Sequence, residues 1–151
     1  MTTRETCIGL GVLVFVLAGL IWSRGGEEAT ARSSASSLPD LSSSDGTVLA
    51  RGIPLEVSVS RPATPMVPFR IRVRTDARSS PPLENGRISF VMAMPMGDHR
   101  YDLSPEPDGW QQADVTLPTC LSGERRWYAT LDGTVDGRAI TARFVLDLAT
   151  R

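Results

Sequence analysis

From residue 55 onward, apolar side chains return at every second position. That alternation restricts the fold more than any other feature of the chain. Leu55, Val57 and Val59 alternate with Glu56 and Ser58, and Phe69, Ile71 and Val73 alternate with Arg70, Arg72 and Arg74. Ile88, Phe90, Met92 and Met94 share one parity within the stretch 86–94. Successive side chains of an extended strand point to opposite faces, so each run predicts a strand with one buried face. The stretches 109–117, 125–133 and 138–148 continue the pattern, with Trp110 and Trp127 expected in the core. Asn85-Gly86, Asp132-Gly133 and Asp136-Gly137 tolerate positive φ, which predicts tight turns at all three. No helical period is sustained after residue 46. About seven strands in roughly one hundred residues predict an all-β, antiparallel sandwich of immunoglobulin-like type. The arginines of 70–74 read as a solvated outer sheet face, since strict alternation accounts for them without a ligand.

The N-terminal part has a different character. Ile8 to Trp22 is apolar and uncharged, with Arg4 before it and Arg24 after it. At about 1.5 Å per residue it makes roughly 22 Å of helix, against a hydrocarbon core of about 30 Å. Thr6, Cys7 and Ser23 extend it to about eighteen residues, near the lower limit for a span. Trp22 suits the membrane interface and Arg24 can snorkel. Residues 1–23 therefore read as a transmembrane anchor, or as a signal segment with Ala29-Thr30-Ala31 as its best cleavage site. Both readings carry the rest of the chain out of the cytoplasm, to the periplasm or beyond. It stays membrane-anchored in the first case and is secreted in the second. Residues 24–46 are rich in Ser, Gly and Ala and read as a flexible tether, with the folded domain expected over 47–151.

Composition narrows the function. A net charge of -1 over 151 residues gives no strong electrostatic pull toward nucleic acid or anionic lipid. Of the two cysteines, Cys7 borders the apolar run, which leaves Cys120 without a partner in the chain. There is no CxxC, so thioredoxin-like redox chemistry and a four-thiolate zinc site are excluded. No GxSxG and no glycine-rich phosphate loop occurs, and the glutamates are scattered. An enzyme is not expected.

The remaining candidate is Val91 to Arg100, VMAMPMGDHR. Thioether sulfur is soft and uncharged. It suits Cu(I) and serves Zn(II), Mg(II) or Ca(II) poorly. Residues two apart on a strand project from the same side, so Met94 and Met96 can form a two-sulfur clamp. Gly97 lets the chain turn, and His99, the only histidine, can supply nitrogen. Pro95 lacks an N–H, which predicts a strand end and a solvent-open loop from Met96 to His99. Met92 continues the core parity and reads as a gap filler. Cys120 lies in another loop, LPTCLSG. Its thiol either completes the site or rests in the core.

These stretches, in this order, resemble the YtkA-like and FixH-like group of small membrane-anchored domains. The resemblance rests on Met94, Met96, Gly97 and His99; on Gly109, Trp110 and Ala113; and on Gly123 and Trp127. Asp98 between Gly97 and His99, and the three residues between Gly123 and Trp127, depart from the group's pattern. The resemblance implies an immunoglobulin-type sandwich that works in copper handling or in assembly of a copper-containing respiratory or transport complex. A partner domain of a membrane complex that binds no metal is the reading from a different class.

Overall fold

The computed structural model describes residues 38–76 and 80–150. The expected anchor or signal segment lies outside the described residues. Among those described, no helix is long and apolar enough to cross a membrane.

The period-two runs become strands: β1 (Gly46–Ala50), β2 (Ile53–Val59), β3 (Phe69–Thr75), β4 (Leu83–Val91), β5 (His99–Asp102), β6 (Ser104–Pro105), β7 (Gln111–Val115), β8 (Arg126–Val135) and β9 (Arg138–Asp147). They form two antiparallel sheets, ordered β1-β2-β3-β7-β6 and β5-β4-β8-β9. The apolar parity of each strand meets that of the other sheet in one cluster. Leu55, Ile71, Val73 and Val115 come from the first sheet, and Ile88, Phe90, Trp127, Leu131 and Phe144 from the second. Burying a large apolar side chain contributes about 1.5–3 kcal/mol, so these inner faces hold the sheets together.

Several expectations change with the register. The nine strands exceed the seven expected: β5 and β6 are too short to show a period, and β1 begins within the stretch read as a tether. Asp136-Gly137 does make the β8–β9 turn, both residues taking positive φ (51° and 69°). Asn85-Gly86 makes no turn. It sits inside β4, where the register with β8 shifts between Glu84 and Arg87 and Asn85 takes φ 50°. This is a bulge, which needs the same backbone freedom as a turn. Asp132-Gly133 makes no turn either and pairs within β8–β9, Gly133 opposite Ile140. Trp110 is not in the core. It lies outside the first sheet, beneath the guanidinium groups of Arg72 and Arg74, 4.6 and 4.4 Å from its ring centroid. Pairing explains this placement: Arg70 binds Asp114, Arg72 binds Glu106 and Asp108, and Arg74 binds Glu56. The stripe is a neutralised outer face, as its alternation implies.

Residues 38–46, read from the sequence as part of a tether, pack on the sandwich. Leu41 is in the core and its N–H donates to the Val145 carbonyl, while Asp45 pairs with Arg61. The Ser-rich composition of 38–46 concealed this, because Leu41 is the one buried side chain there and the rest is held through backbone and polar groups.

Candidate functional site

The register brings one set of loops to one end of the sandwich. Val91 at the close of β4 stands opposite Tyr128 near the start of β8, and Arg126 stands opposite Asp147 at the close of β9. In the first sheet, Phe69 opposite Val115 marks the same end. The methionine loop, residues 92–98, therefore meets the β7–β8 loop that carries Cys120. Ala93 and Ser122 line one hollow of about 690 Å³, together with Arg125, Arg126 and Tyr128. A second hollow of about 590 Å³ is lined by Pro65, Pro118, Cys120 and Leu148.

The candidate ligands occupy different depths. Met92 is in the core at 7% exposure, as its parity implies. Met94 shares that parity but is 48% exposed, because β4 ends at Val91 and the alternation stops there. The strand closes before Pro95 is reached. Met96 is half-buried and packs against the core. Gly97 takes φ 89°, consistent with the turn expected of it.

His99 is not in the loop. It opens β5 and pairs with Phe90. Histidine and tyrosine alternate here with exposed Arg100 and Asp102, so His99 and Tyr101 share the inward parity of an edge strand. The Tyr101 hydroxyl donates to the Thr116 carbonyl at 2.6 Å and fixes this edge strand to the opposite sheet. The His99 ring meets Trp127 edge-on, centroids 5.4 Å apart. Its Nε2–H donates to the Met96 carbonyl at 3.2 Å. A carbonyl can only accept, so in the neutral ring this bond puts the proton on Nε2 and the lone pair on Nδ1. Nδ1 makes no hydrogen bond among the described residues.

Cys120 is 4% exposed and shares a 3.0 Å hydrogen bond with the Ser122 hydroxyl. The Ser122 hydroxyl and N–H hold the thiol below the ordinary range, against the opposing effect of burial. Among the described residues, no three His, Cys, Asp or Glu side chains gather as a metal-holding group. A site at this end would draw on thioethers. No local signal in the sequence marks Ser122 or Trp127 as a neighbour of the site. Trp127 reaches His99 only through the β5–β4–β8 register, which no local motif encodes.

The chain matches no protein-family model, no curated protein and no solved structure.

Proposed function

We propose that the chain is a membrane-anchored, envelope-exposed domain of YtkA-like and FixH-like type, with an immunoglobulin-like sandwich, that binds Cu(I) through Met94, Met96 and His99. It serves copper handling, or assembly of a copper-containing respiratory or transport complex. One observation carries the reading: the Met96 carbonyl accepts a hydrogen bond from His99 Nε2, which in the neutral ring leaves the lone pair on Nδ1 for a metal. A ring nitrogen fixed through its partner by a backbone carbonyl is the arrangement metal-binding histidines use. The carbonyl belongs to one of the candidate sulfur residues, so a single loop carries both donors and the group that orients the ring. Thioether and neutral imidazole together favour a soft, singly charged ion. The apolar run Ile8 to Trp22 supports the anchor. Cys120 lies beneath the same end with its thiol turned to Ser122, and it joins the set only if Cu(I) draws it away.

A competitive titration with a Cu(I) chelator, under anaerobic conditions, tests the reading on the full chain. Tight binding lost in Met94→Leu/Met96→Leu and in His99→Ala, with the fold intact, supports it. A parallel Cys120→Ala variant separates a fourth donor from a core thiol.

The non-metal reading, a scaffold that docks on a membrane complex, is favoured by a different observation: Met92 and Cys120 are buried and Met96 packs on the core. Equal, weak Cu(I) binding by all variants would favour it.

A further inference from the structure

Apolar side chains are distributed unevenly over this surface. Six of the seven large apolar side chains exposed among the described residues lie at the methionine end; the exception is Leu49 on β1. Met66 and Val67 stand on the β2–β3 loop, Met94 on the β4–β5 loop and Leu121 on the β7–β8 loop. The loops adjoin: the Met66 N–H donates to the Leu117 carbonyl at 2.9 Å, Pro65 and Cys120 share one hollow, and Ala93 and Ser122 share another. Leu121 is fully exposed and Met66 is 60% exposed. These are prominences, not the floor of a groove.

We propose that this end docks loop-first into the surface of the bilayer that holds the N-terminal segment, an inference that rests on the anchored topology proposed above. Two observations favour lipid over a protein partner. The first is shape. A protein surface must offer a fitted pocket to each protruding side chain, whereas fluid acyl chains close around any of them. The second is reach. Ser23 to Ser37 can extend at most about 3.3–3.6 Å per residue, roughly 50 Å in all, so the sandwich cannot leave the neighbourhood of the membrane.

Quenching by brominated lipid tests the docking. The full chain, with Trp22→Phe to remove the tryptophan of the apolar run, carries Leu121→Trp or, as a control at the opposite end, Ala139→Trp. Each is reconstituted into phosphatidylcholine and phosphatidylglycerol vesicles with or without brominated acyl chains. Both positions are exposed, so neither substitution enters the core. The Leu121→Trp chain should float with the vesicles and lose most of its added emission to brominated lipid, while the Ala139→Trp chain floats and keeps its own. Met66→Trp should behave like Leu121→Trp. Flotation with equal quenching of Leu121→Trp and Ala139→Trp would overturn the docking alone and leave this end to a protein partner. Failure of every variant to float would overturn the docking together with the anchor, without touching copper binding.

Discussion

The imidazole of His99 stands edge-on to the indole of Trp127, ring centroids 5.4 Å apart and planes at 79°. Trp127 is fully buried, so its emission reports little of the bulk solvent and much of this one neighbour. An ion held at His99 would act on the ring that abuts the indole. In a Trp22→Phe/Trp110→Phe chain, Cu(I) should quench the remaining emission and saturate near about one equivalent. His99→Ala should abolish the response. A fluorescence titration beside the untreated protein checks it.

Gln111 of β7 reaches across to the bulge of β4. Its Oε1 accepts the Gly86 N–H at 3.2 Å and its Nε2 donates to the Leu83 carbonyl. Both backbone groups are buried, and a partner lost there leaves them unsatisfied. Gln111→Leu should destabilise the domain by about 1–3 kcal/mol in urea unfolding. Gly86→Ala should also destabilise, since a Cβ there would run into the Gln111 amide oxygen and stand 2.8 Å from Leu103 Cδ1.

Trp110 lies under two guanidinium groups that are already paired with carboxylates. Trp110→Ala should lower stability by about 1 kcal/mol, the scale of a cation–π contact at a partly exposed site, and leave Cu(I) affinity unchanged. Urea unfolding and the chelator competition read the two effects separately.

These two stretches show what was legible in the sequence. Alternation located β2, β3, β7, β8 and β9 and the inward faces of Trp127, Ala129 and Leu131, because a half-buried strand writes its burial into every second residue. It missed Trp110 because the aromatic at the edge of a run is claimed by whichever face offers partners, and the arginines of β3 offered them. Asn85-Gly86 reads as a turn because a bulge and a turn ask the same of the backbone. At the site, Met92 was legible as core and Gly97 as a bend. The capture of His99 by β5 was not, since a four-residue edge strand is selected by pairing with Phe90 rather than by its own pattern.

Acid should loosen the seam between β8 and β9. The Arg126 guanidinium hydrogen-bonds Asp147 and holds its carboxyl below the usual range, with burial opposing and outweighed. A carboxylate whose pKa is lower folded than unfolded adds stability that is complete above its unfolded value of about 3.9 and disappears as pH falls through the folded one. The pair is partly exposed, so this amounts to no more than about 1 kcal/mol. Asp147→Asn should lower the urea midpoint at pH 7 slightly. It should also reduce the further fall seen below about pH 4, measured as midpoint against pH.

X-ray absorption at the copper edge of the full chain loaded with Cu(I) tests the ligand set most directly. Sulfur scatterers together with a nitrogen shell showing the outer-sphere pattern of imidazole are predicted. The sulfur contribution should fall away in Met94→Leu/Met96→Leu and the imidazole pattern in His99→Ala. A first shell of nitrogen and oxygen alone, or a spectrum unchanged by either variant, would contradict the assignment of Met94, Met96 and His99 as the metal site.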